Sequence, residues 1–133
     1  MKTRIGVVLF TVILVLSVTC SAFAAVPAPA LLSPASAANV TSPLTISWSP
    51  VSDPSGNAGY NWQVSTSSTF PTVILQNSTN PNQTQDTVSG LPNGTYFWRV
   101  QTVNGAFVQS AWSQPRSFNI TGAGAGQLAA PSL

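Results

Sequence analysis

Leu91-Pro92-Asn93-Gly94-Thr95-Tyr96-Phe97-Trp98-Arg99-Val100 reads as a tight corner running directly into a strand. Pro92 presets φ, and Asn93 and Gly94 accept turn conformations that other residues resist. From Tyr96 onward the pattern changes. Tyr96, Trp98 and Val100 alternate with Phe97, Arg99 and Gln101, the period of a strand with one buried face. This is the longest alternating run in the chain, and it is expected to lie centrally.

The same alternation recurs on both sides. Leu44, Ile46 and Trp48 alternate with Thr45 and Ser47; Tyr60, Trp62 and Val64 alternate with Asn61, Gln63 and Ser65; Phe118 and Ile120 alternate with Ser117 and Asn119. Weaker strand candidates span residues 72–76 and 84–88, and a short first strand falls near residues 30–33. Turn residues separate these runs. Asp53-Pro54-Ser55-Gly56-Asn57 is one turn, residues 77–82 form a polar loop, and Asn104-Gly105 is a hairpin signal. No window carries a helical period. About seven short strands at this spacing describe an all-β sandwich or barrel.

Three of the four tryptophans, Trp48, Trp62 and Trp98, occupy inward positions. Each aromatic side chain buries about 150–250 Å². With Tyr60, Leu91, Tyr96 and Val100 they form the expected core. Trp112, Phe97 and Phe107 fall outside that pattern and are the candidates for surface contact, together with Arg99.

The corner and strand of residues 91–100 resemble those of fibronectin type III domains, in which a Leu, then Pro and Gly, lead to a corner Tyr and an Arg-Val pair. Leu44 to Trp48 resembles that family's second strand, Gly59-Tyr60 the start of its third, and Ser110-Ala111-Trp112-Ser113 before Phe118 the approach to its last. The resemblance implies a two-sheet antiparallel sandwich of immunoglobulin-like type. It also implies a tyrosine corner at Tyr96 and a last strand in which Trp112 lies beside Arg99. Pro115 suits an edge or a bulge in that strand.

The organisation follows. Lys2 and Arg4 precede an apolar run over residues 5–18, too short for a spanning helix, and Ala22-Phe23-Ala24 supplies a small-x-small cleavage pattern. Residues 1–24 therefore read as a signal peptide, with a stable membrane span not expected after cleavage. Residues 25–38 are an extended lead-in with the first strand, 39–121 the rest of the domain, and 122–133 a Gly/Ala tail that fits a linker. Ala129-Ala130-Pro131-Ser132-Leu133 echoes residues 28–32, which fits the start of a further repeat in cis. Cys20, the single cysteine, reads as incidental to the leader rather than as an acylated lipoprotein cysteine, because Leu16 is one position too early and Thr19 is too large. The expected location is secreted, or the cell envelope.

Composition limits the chemistry. Charged residues make up 5% of the chain, against roughly 25% in an average soluble protein. The net charge of +2 comes from the leader; beyond it Arg99 and Arg116 balance Asp53 and Asp86. No basic patch remains for nucleic acid. The chain has no His, which removes the usual general base and zinc ligand, and its two carboxylates fall in separate loops. No enzyme activity, cofactor or metal is expected. Sequons at Asn39, Asn77, Asn82, Asn93 and Asn119 read as a by-product of Asn and Thr richness behind a leader of bacterial form.

Two functions remain. One is a non-catalytic structural or adhesive extracellular module that meets a protein or a cell-surface polymer. The alternative is a carbohydrate-binding module using exposed aromatics such as Trp112, with Phe97 or Phe107 alongside. Arg99 alternates outward beside the strand that Trp112 is expected to begin, so Arg99 is expected to cover Trp112, which favours the first; a bare Trp112 would favour the second.

Overall fold

The computed structural model describes residues 24–122. The leader expected over residues 1–24, including Cys20, and the tail from 123 onward fall outside or at the margin of these residues. The chain forms β1 (Leu31–Ser33), β2 (Ala38–Val40), β3 (Leu44–Trp48), β4 (Asn57–Ser65), β5 (Leu75–Thr79), β6 (Gln85–Val88), β7 (Gly94–Asn104) and β8 (Arg116–Ile120). Three strands make one sheet in the order β1-β3-β6. Five make the other, in the order β2-β8-β7-β4-β5.

Two sheets face each other because each strand has one apolar side. Leu44, Ile46 and Trp48 from β3 meet Tyr60, Trp62 and Val64 from β4, Tyr96, Trp98 and Val100 from β7, and Phe118 and Ile120 from β8. Leu91 belongs to the same buried cluster. All seven residues expected in the core are buried, Trp48 and Trp98 to 1% exposure or less. Trp48 meets Tyr60 edge-on, with centroids 5.7 Å apart. Tyr96 stacks on Phe118. The indole N–H groups of Trp48 and Trp98 are buried with no acceptor, so both rings act here as hydrocarbon.

The corner before β7 closes as the resemblance implies. The Tyr96 hydroxyl donates to the Pro92 carbonyl at 2.7 Å, and burial pushes the phenol pKa upward. The turn at Asp53 also forms by its own chemistry. The Asp53 carboxylate accepts the Ser55 N–H at 2.8 Å, and Gly56 takes φ 82°.

Several elements differ from the sequence expectation. There are eight strands rather than about seven, because the leading segment divides. β1 pairs with β3, then the chain crosses at Pro34, which has no N–H for the ladder, and β2 pairs parallel with β8. One pair of the sandwich is therefore parallel. β5 lies at residues 75–79, not 72–76, and takes up the first part of the expected polar loop. As an edge strand it needs little apolar content: only Thr79 is buried and Leu75 half-buried. Pro115 lies just before β8, which is an interior strand between β2 and β7 rather than an edge.

Candidate functional site

The outer face of the five-stranded sheet carries the surface candidates. Arg99 points outward from β7, opposite Gln63 on β4. Its Nε and Nη2 both donate to Gln63 Oε1, at 3.1 and 2.8 Å. The guanidinium carbon lies 4.0 Å from the centroid of Phe70 and 4.5 Å from that of Trp112. The cation thus lies over two rings, contacts that ring quadrupoles favour. The same burial lowers its pKa from the ordinary arginine value.

Local structure fixes both rings. Phe70 is in the β4–β5 loop, which Ser65 Oγ pins by donating to the Thr72 carbonyl at 2.7 Å. Trp112 is not in a strand; the resemblance placed it at the start of the last one, but β8 begins only at Arg116. The segment around it is nonetheless tied along β7. Ser110 N–H donates to the Thr102 carbonyl at 2.9 Å and Ser113 N–H to the Val100 carbonyl at 2.8 Å. In return Val100 N–H and Thr102 N–H donate to the Ser113 and Ser110 hydroxyls, at 3.0 and 2.9 Å. Serine side chains thereby replace ladder partners where the strand is irregular, and Trp112 is set over Arg99.

Beyond this clamp the face is neutral and amide-rich. Ser78 donates to Asn61, Asn61 to Gln101, and Gln101 to the Ser110 carbonyl. A groove of about 460 Å³ runs over these side chains, with Trp112 and Gln109 on its wall. Phe97 is half-buried on the same strand as Arg99. Phe107 is 81% exposed at a loop tip, where Asn104 Oδ1 accepts the N–H groups of Ala106 and Val108. Neither Phe97 nor Phe107 stacks with Trp112, so the three aromatics do not form one platform. Phe70 and Gln63 are the residues that sequence reading missed. Gln63 looks like any outward polar residue of a strand, and Phe70 is a lone aromatic in a polar loop with no periodicity to mark it.

The two carboxylates are apart and engaged. Asp53 holds its turn and accepts Asn104 Nδ2 at 3.3 Å. Asp86 Oδ2 accepts Trp62 Nε1 at 2.8 Å and Asn77 Nδ2 at 2.9 Å, tying β6 to the other sheet.

No family model matches the sequence, and no curated protein is significantly similar to it. Solved structures are similar in shape. An Fn3-like protein from Clostridium thermocellum is 24% identical, with a TM-score of 0.52 over 73% of this chain and 95% of that one. The α-L-rhamnosidase of Streptomyces avermitilis, solved with L-rhamnose, is 16% identical, with a TM-score of 0.51 over 72% of this chain. This chain spans only 10% of that enzyme. Sheet order, the corner at Tyr96 and these likenesses agree: the chain has the fibronectin type III-like fold.

Proposed function

We propose that this chain is a non-catalytic extracellular module with a structural or adhesive role, contacting a protein or a cell-surface polymer. The observation that carries the reading is the Arg99 guanidinium over Trp112. It occupies a face that a sugar ring would need and makes the pair part of the scaffold. Asp53 and Asp86, spent on a turn and on a bond between sheets, support the absence of carboxylate catalysis. The signal-like leader supports export, and the echo of residues 28–32 at 129–133 supports a neighbouring repeat in cis.

Titration of tryptophan fluorescence with a panel of polysaccharides tests this reading. The expected result is no saturable change. Saturable binding that disappears in Trp112→Ala would replace it with the carbohydrate-binding alternative.

A further inference from the structure

A two-sheet sandwich has four edge strands, each with a row of backbone groups turned away from its neighbour. Such edges pair with other chains unless something blocks them. Three of the four are blocked here. β1 carries a register irregularity and ends at Pro34, and Arg116 Nη1 donates to the Leu32 and Pro34 carbonyls at 3.0 and 3.3 Å. β6 has its own caps. Asp86 Oδ1 accepts the Thr87 N–H at 2.8 Å, and Gln83 Nε2 donates to the Gln85 carbonyl at 3.1 Å. β2 is three residues long and lies between Pro34 and Pro43.

β5 has none of these devices. Its five residues Leu75-Gln76-Asn77-Ser78-Thr79 pair with β4 in unbroken register. They include no charge and no proline. Their side-chain bonds go to Gln63, Asp86, Asn61 and the Gln83 carbonyl. Among the described residues, no side chain caps the free side of this backbone.

We propose that β5 is a self-association edge, pairing antiparallel with β5 of a second copy about a two-fold axis at Asn77. This goes beyond the module reading and does not depend on which ligand the module meets. The sequence suits its own reverse. Gln76 falls opposite Ser78 of the second copy, and Leu75 opposite Thr79, so no like charges meet. The described module carries two acidic and two basic side chains, Asp53, Asp86, Arg99 and Arg116, so long-range repulsion between copies is absent. The hydrogen-bonded rows Gln63–Gln76 and Asn61–Ser78 on the outer face would then continue across the axis, and two five-stranded sheets would fuse into one.

The pairing register makes the test specific. Sedimentation velocity of the exported protein over a concentration series should show a monomer–dimer equilibrium. Amide hydrogen exchange at residues 76–78 should slow as dimer forms. In Q76K/S78K the axis brings two lysines face to face at each of the two symmetry-related pairs, and dimerisation should weaken roughly tenfold. In Q76K/S78E the facing pairs are opposite in sign, and dimerisation should recover and become salt-sensitive. Gln76 and Ser78 both carry exposed side chains, and thermal melts of each variant check that the fold persists. A protein that stays monomeric at every concentration overturns the proposal, and leaves the edge to an extended segment of a different protein. A dimer indifferent to both charge patterns also overturns it, because the contact then lies elsewhere.

Discussion

The Arg99 guanidinium sits 4.5 Å from the centre of the Trp112 ring and 4.0 Å from that of Phe70. Each such contact is worth about 0.5–1 kcal/mol where partly exposed. Arg99→Ala should therefore lower stability by about 1–2 kcal/mol and shift the Trp112 emission to the red. A double-mutant cycle with Trp112→Ala measures the coupling directly in urea unfolding. A coupling of zero would show that the two side chains are independent, and the structural reading of Trp112 would fall with it.

Tyr96→Phe removes the donor to the Pro92 carbonyl. The corner then keeps its shape, and the carbonyl of the exposed Pro92 turns to water, so the loss is that of one net hydrogen bond, about 0.5–1.5 kcal/mol. The urea midpoint should drop with no change in the slope of the transition. An unchanged midpoint would mean that the bond contributes nothing net.

Trp98 separates packing from hydrogen bonding. Trp98→Ala empties the centre of the core, at about 3–5 kcal/mol, against a total stability of about 5–15 kcal/mol for a small domain. Trp98→Phe should be distinctly milder, since the indole N–H has no acceptor to lose. Equal losses in the two variants would reveal a polar role for the indole.

Gly59 is fixed by space and by backbone together. Its φ is +149°, and a Cβ there would collide with the Thr79 backbone carbonyl across the β4–β5 pair. Gly59→Ala should destabilise by more than about 1 kcal/mol and loosen β5. Amide exchange at residues 75–79 is the sensitive measurement, and protection equal to that of the unmodified protein would contradict the expected clash.

Export is tested by mass. The leader pattern ending at Ala22-Phe23-Ala24 predicts an intact mass for the exported protein that begins at Ala25 or Val26. A mass that includes residues 1–24 would show the leader retained, and one increased by acyl chains on Cys20 would show a lipoprotein.

The period-two alternation was enough to place β3, β4, β7 and β8 and to choose their buried faces. Those strands bury one side each, and burial writes itself into every second residue. The turn at residues 91–94 was equally legible, because a backbone turn needs particular residues at particular spacings; that the Tyr96 hydroxyl closes it was what the family resemblance implied. The scarce charges and the missing histidine bounded the chemistry before any coordinates. What the sequence could not supply depends on partners far along the chain. β5 carries almost no apolar signal, since an edge strand is specified mainly by the ladder of its neighbour. The division of the first strand between sheets follows from where β3 and β8 lie, and neither is visible from residues 31–40. The clamp on Arg99 joins a strand, a loop well before it and a loop after it. That Trp112 lies against Arg99 was already implied by the family resemblance, and the structure bears it out; only the folded sheet adds Gln63 and Phe70 to the same guanidinium, because each is locally an ordinary polar or aromatic residue and their meeting is set by strand register and by the loop that Ser65 pins.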